Sequence, residues 1–149
     1  AHPDIDVFAP VVKDIRVMLS PCVIGSVACR RVNSVDELPA CGVSAINSGL
    51  AVRMRVFAHY RYDEGQFLDY IDHAFIRDVT GNDLSRIYIL KDAELRQEFS
   101  GSAKQSRQAA LRRYKTFRKD IIYFCRKYGV SFFSRELLLI KRRIRLLLG

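Results

Sequence analysis

The 149-residue sequence has no run of about eighteen uncharged apolar residues, so nothing in it is expected to span a membrane. Its opening, "AHPDIDVFAP", is acidic where a secretory signal would be basic and then apolar, and no such signal is expected. Zinc-ligand spacing is missing from the four cysteines, Cys22, Cys29, Cys41 and Cys125. Without a signal they are expected to be reduced thiols, mostly buried, rather than a disulfide framework. There is no internal repeat and no low-complexity segment, which excludes a repeat array. What is present is ample apolar material. Hydrophobic residues make up 49% of the chain, enough for one ordinary core and against wholesale disorder.

Acids become scarce after residue 102. Residues 103–149 hold 14 Lys/Arg against 2 Asp/Glu, whereas residues 1–102 hold 11 against 14. The overall charge of +9 therefore belongs to a strongly basic tail on a mildly acidic body. The domain boundary is placed there, giving 1–102 and 103–149.

Along the body, "DIDVFAPVV" (4–12) and "CVIGSVACRRV" (22–32) read as strands, and "NSVDELPACG" (33–42) as a surface loop. "VSAINSGLAV" (43–52) is a strand broken at Asn47-Ser48-Gly49, and "RMRVFAHY" (53–60) has helical spacing. A helix is expected over 66–78, ended by "TGND" (80–83), then two short strands, "RIYIL" and "AELRQEF", around Lys91-Asp92. In the tail, a helix is expected from Ala103 to Tyr128, where Ala110, Tyr114, Phe117, Ile121, Phe124, Cys125 and Tyr128 recur at steps of three and four and make one apolar face. Gly129 stands where a helix C-cap prefers glycine, and a second helix is expected over about 132–148.

The helix at 66–78 carries the chemistry of interest. "YDEGQFLDYIDHAF" (62–75) places Asp69 and Asp72 three apart among Phe67, Leu68, Tyr70, Ile71 and Phe75. On a helix that spacing puts both acids on one face, at the wall of a cleft, and such a pair can supply a general base. Two plainer readings stay open: a solvated acidic face, with Asp63 and Glu64 serving the helix N-terminus, and for His73 a packing residue with no ligand partner at metal spacing.

The order of segments adds to this. "INSGLAVRMRVF", then "YRYDEGQFLDYIDHAFIRDV", "IYIL", "DAELRQEFSG" and a Tyr/Arg-rich helix resembles the C-terminal half of a family 2 glycosyltransferase with the GT-A fold, most similar to bacterial rhamnosyltransferase-like members. The resemblance covers roughly residues 1–128 and is most specific at Asn47–Gly49 and Tyr62–Phe75. It implies an inverting transfer from a nucleotide-sugar donor to a sugar or lipid-linked acceptor, building surface or capsular polysaccharide. Asp72 would be the catalytic base and Asp69 its neighbour, orienting the acceptor or tuning the base. Asn47, Ser48, Gly49 and Tyr70 would line the substrate pocket. A divalent metal, Mg²⁺ or Mn²⁺, would neutralise the departing diphosphate in the complete enzyme.

The chain departs from that pattern in three places, one of them the arginine that follows the base helix, which is out of register by about one residue as Arg77 with Asp78 behind it. Where many relatives carry a metal-binding histidine it has Gln97, a poor transition-metal ligand. The nucleotide-binding half with its Asp-x-Asp motif does not appear ahead of residue 1, and "PDID" (3–6) matches that motif by letter only. The expectation is a partial enzyme, inactive alone. Its fold is expected to be α/β, a partial GT-A-like mixed sheet with flanking helices, followed by two C-terminal amphipathic helices.

The tail has its own reading. Phe133, Leu137, Ile140, Ile144 and Leu147 fall on one side of the last helix, flanked by Arg135, Lys141, Arg142, Arg143 and Arg145. That is the make-up of a helix lying in the plane of an anionic membrane surface, so residues 131–149 are expected to hold the protein at the cytoplasmic face of the cell membrane. "RRYKTFRK" (112–119) interleaves aromatics with cations as single-strand binders do, without a nucleic-acid fold motif. The competing class is a non-enzymatic basic module that binds membrane or nucleic acid.

Overall fold

The computed structural model describes residues 2–14, 17–25, 29–97 and 106–148. In chain order the strands are β1 (Val7–Asp14), β2 (Val17–Ser20), β3 (Cys22–Ile24), β4 (Cys29–Arg30), β5 (Val43–Ser44), β6 (Ala51–Val52) and β7 (Ile87–Arg96). The α-helices are α1 (Ile71–Thr80), α2 (Arg107–Lys127) and α3 (Phe132–Leu148). The described residues form two compact units. The first holds residues 2–14, 17–25, 29–62 and 72–97; the second holds 63–71 and 106–148.

The first unit is mixed α/β. The apolar run "VFAPVVKD" becomes β1, with Val7, Ala9, Val11 and Val12 all buried, as expected of a strand covered on both faces. β7 runs parallel to it from Val7↔Ile87 to Lys13↔Arg96. β6 pairs antiparallel with its start and β2 with its end. The core gathers Val7, Ala9, Val43, Ala45, Ile87 and, from α1, Phe75 and Ile76. A second, small sheet has the antiparallel order β4-β3-β5.

Several expected elements change shape. The two strands read around Lys91-Asp92 are one, β7, whose partners on β1 jump from Leu90 to Glu94, so the turn composition at 91–92 makes an irregularity in a continuous strand. The helical spacing at 53–60 resolves as a 3₁₀ turn, Met54–Ala58. Asn47-Ser48-Gly49 is a turn between β5 and β6, closed by the Leu50 N–H donating to the Asn47 carbonyl at 3.1 Å. Gly49 has φ +71°, and a Cβ there would stand 2.9 Å from Pro10 Cγ. The glycine is needed for both reasons.

The second unit joins α2 and α3. The Ser106 hydroxyl caps α2 by accepting the Ala109 N–H at 3.3 Å, and Gly129 follows its end at φ +66°. Its buried residues, Phe117, Ile121, Phe124, Cys125, Leu138 and Leu139, include four of the positions that recur at helical spacing in the sequence. Residues 103–105, part of the expected first tail helix, lie outside the described residues.

Candidate functional site

In the second unit, α2 grips the segment 63–71 through its acids and bases. Asp120 on α2 is 0% exposed. Its carboxylate accepts the backbone N–H groups of Phe67 at 3.1 Å, Leu68 at 2.8 Å and Asp69 at 2.8 Å. A buried carboxylate is tolerated because these charge-assisted bonds replace its water. Two turns earlier, Arg113 donates Nη2 to Asp69 Oδ1 at 2.7 Å and Nη1 to Oδ2. The Asp69 carboxylate raises the Arg113 guanidinium above its ordinary range against the opposing effect of burial. At the start of the segment, Asp63 accepts from the Gly65 N–H at 2.9 Å, the Tyr123 hydroxyl at 2.9 Å and Lys127 Nζ at 3.0 Å. The Gly65 N–H, then Lys127 and Tyr123, hold the Asp63 carboxyl below its usual value.

Tyr70 takes φ +65°, a conformation bulky side chains rarely adopt. Its ring packs on Phe124 at 5.0 Å and Phe117 at 6.4 Å between centroids. This left-handed residue, with the Asp120 cap before it, makes the helix begin at Ile71 instead of the expected residue 66. Asp69 therefore precedes the helix and is bound to Arg113, while Asp72 lies within it. The shared helical face that spacing suggests does not form.

In the first unit, Asp72 stands half-buried in the first turn of α1, where the exposed N–H groups of a helix favour an acid. Its Oδ1 accepts the His73 N–H at 2.9 Å. Tyr62 is its electrostatic neighbour: burial first, and then the Asp72 charge, push that phenol above its usual value. The Tyr62 ring stacks on Phe75 at 5.5 Å. In the Asn47–Gly49 turn, Asn47 and Gly49 are exposed and Ser48 is half-buried. The close approach that Gly49 permits is to the chain's own Pro10.

The small sheet and α1 assemble a cluster that spacing along the chain conceals. Cys22 pairs with Ser44 across β3 and β5, and Ile24 pairs with Cys29 across β3 and β4. Since alternate residues and direct cross-strand partners share a face, Cys22, Ser44 and Cys29 all present to one side of the sheet. His73 of α1 meets that side, with Ser44 Oγ 2.7 Å from Nδ1 and Cys29 Sγ 3.6 Å from Nε2. The donor atoms of Cys22, Cys29 and His73 lie within 4.8 Å of one another, and these three can coordinate a metal ion. A hydrogen bond with Cys22, then burial, then the charges of Cys22 and Asp72 push the Cys29 thiol up. All four cysteines are free; Cys22 and Cys125 are buried, Cys29 half-buried and Cys41 exposed.

The metal implied by the resemblance is of another kind. Mg²⁺ and Mn²⁺ require oxygen donors, carboxylates above all. Among the described residues the one group of three or more metal-ligating side chains in reach of each other is the thiol-rich cluster. Gln97, at the end of β7, keeps its buried Oε1 without a hydrogen-bond partner among the described residues, but one amide oxygen is not a hard-cation site. The described residues do not fit that cation.

On the basic tail, Phe133 of α3 is 79% exposed, Leu137 and Ile140 52%, and Ile144 49%, while Leu138 and Leu139 on the other side are buried. Lys141, Arg143 and Arg145 are exposed beside the apolar stripe, and Arg142 turns over the Phe117 ring at 5.5 Å. No described helix is long and apolar enough to cross a membrane. On α2, Lys115, Arg118, Lys119 and Arg126 join Gly65, Ile122 and Tyr123 around a cavity of 370 Å³. Sequence patterning does not anticipate the structural work of Asp120, although an acid on the apolar face of α2 is a visible signal. No established family, curated protein or solved structure matches the chain.

Proposed function

We propose that this chain is the acceptor-side part of an inverting glycosyltransferase of the family 2, GT-A type, acting on a nucleotide-sugar donor to extend a lipid-linked surface polysaccharide. The observation that carries this reading is Asp72, a half-buried acid at the head of α1, at the point where the order of segments puts the base. The Asp72 carboxylate takes the proton of an acceptor hydroxyl while that oxygen attacks the anomeric carbon. The bond from that carbon to the diphosphate breaks on the opposite face, and the nucleoside diphosphate leaves with the bonding pair. One protein base suffices for such a displacement. The parallel β1–β7 pair with α1 packed into its core supports a GT-A-type frame. The diphosphate-binding cation belongs, in this reading, to a donor-binding half outside the chain.

The exposed apolar stripe and flanking cations of α3 support docking in the plane of an anionic membrane, where a lipid-linked acceptor resides. The four cations around the α2 cavity suit a phosphate group of such an acceptor. The same cavity is what favours the second reading, a basic binding module without sugar chemistry. Transfer separates the two. Joined to a donor-binding half and given nucleotide sugars with a prenyl-diphosphate-linked acceptor, the chain is expected to yield product whose anomeric configuration, read by NMR, is inverted. Retention of configuration would contradict the mechanism, and binding without any transfer would favour the module.

A further inference from the structure

We propose that Cys22, Cys29 and His73 bind a single soft transition-metal ion, zinc by its chemistry, that fastens the small sheet to the first turns of α1. The inference is independent of the sugar-transfer reading, because it rests on donor chemistry and topology alone. The small sheet places both thiols on one face by pairing, and α1 brings an imidazole to that face. In a tetrahedral zinc site, bonds of about 2.3 Å to sulfur and 2.0–2.1 Å to nitrogen put ligating S and N atoms about 3.5 Å apart. Cys29 Sγ and His73 Nε2 stand 3.6 Å apart.

The imidazole has an outer partner of the right kind. A metal-bound histidine characteristically gives its other ring N–H to a neighbouring oxygen, which fixes the tautomer and turns the free lone pair to the ion. Ser44 Oγ lies 2.7 Å from Nδ1 and can fill that place, while Cys29 Sγ stands 3.6 Å from Nε2 and 3.8 Å from Nδ1, so capture of an ion at Nε2 includes a turn of the ring relative to that thiol. Two thiolates and an imidazole select zinc over magnesium or manganese. Three protein donors leave a fourth tetrahedral position for water. Cys22 is buried and Cys29 and His73 are half-buried, so an ion can reach the site from one side. Binding releases the thiol protons, the ordinary accompaniment of zinc capture by cysteine.

The ion would act as a staple. β3 and β4 are near neighbours in sequence, but Cys29 and His73 of α1 are 44 residues apart, and the link would run through the residue next to Asp72. The test is titration of the reduced full chain with Co²⁺, a zinc substitute whose thiolate bonds absorb in the near-ultraviolet and whose tetrahedral sites colour in the visible. The chain is expected to take up one Co²⁺ with both signatures and to lose them when Zn²⁺ is added. Cys29→Ser and His73→Ala should each weaken Co²⁺ uptake and diminish both signals. Ser44→Ala should weaken binding by roughly 10- to 100-fold, as loss of an outer-shell partner does. Cys41→Ser, at an exposed thiol outside the cluster, should leave the titration unchanged. If Cys22→Ser fails to fold because Cys22 is in the core, Cys29→Ser and Ser44→Ala decide the matter. Absence of the thiolate band in the reduced chain would overturn the proposal. So would a band left unchanged by Cys29→Ser, or one that needs Cys41.

Discussion

Asp120 is the residue on which the second unit depends most. Its carboxylate has no exposure and satisfies three backbone N–H groups at once, so truncation strands three donors. The three donors are only part-buried, and Phe67 and Leu68 are exposed, so water can replace part of the loss and Asp120→Ala is expected to cost about 1–3 kcal/mol in denaturant unfolding. Asp120→Asn, which keeps one acceptor oxygen, should cost less. Asp63 makes a pH prediction. Its folded carboxyl lies below the ordinary 3.8, so the native state holds its proton less tightly than the unfolded chain does. The stability it contributes is full above that value and is lost as pH falls below it. Asp63→Asn should therefore flatten the acid limb of a stability-versus-pH curve below about pH 4 while leaving its shape above about pH 5 unchanged. At this scale the sequence is partly legible. An acid among Phe117, Ile121 and Phe124 on α2 is a signal that periodicity alone passes over, and which N–H groups it serves does not follow from spacing. Cys22, Cys29 and His73 look unrelated until strand pairing joins them, which is why spacing rules pass over the cluster.

Among the elements, those set by long periodic patterns were legible and those set by a local backbone event were not. The second tail helix is expected over about 132–148 and observed at Phe132–Leu148, because its apolar positions keep one period throughout. The start of α1 moves from residue 66 to Ile71, because Tyr70 adopts a positive φ and Asp120 takes the preceding N–H groups. Neither cause is visible in local sequence. β7 stays whole through its Lys91-Asp92 irregularity because pairing along β1 outweighs turn propensity. The turn between β5 and β6 yields a firm expectation. Gly49→Ala meets both an unfavourable φ and Pro10, so it should destabilise the first unit by about 1–3 kcal/mol in thermal or urea unfolding. Unchanged stability would mean the turn can relax away from Pro10.

For the molecule as a whole, the division of charge between an acidic body and a basic tail was plain from composition, and the structure adds which side of α3 is apolar and exposed. Each basic residue near an anionic bilayer contributes on the order of 1 kcal/mol. The chain is expected to sediment with vesicles containing anionic lipid, to come off as salt rises, and to ignore neutral vesicles. Phe133→Ser with Ile140→Ser, both at exposed positions, should weaken that binding without lowering the unfolding midpoint. Binding that is indifferent to both changes and to salt would assign the stripe another role. The fold class was legible at the level of mixed α/β with two C-terminal helices. The candidate site was read from an ordered series of segments, while the contacts around its residues come from pairings across long stretches of chain. The central claim is that Asp72 removes a proton from the acceptor. It is tested most directly by the turnover number of Asp72→Asn in the chain joined to a donor-binding half, measured beside its thermal midpoint. A loss of roughly 10²- to 10⁴-fold or more in turnover with an unchanged midpoint is the expected result, and turnover close to that of the unsubstituted enzyme would contradict the assignment.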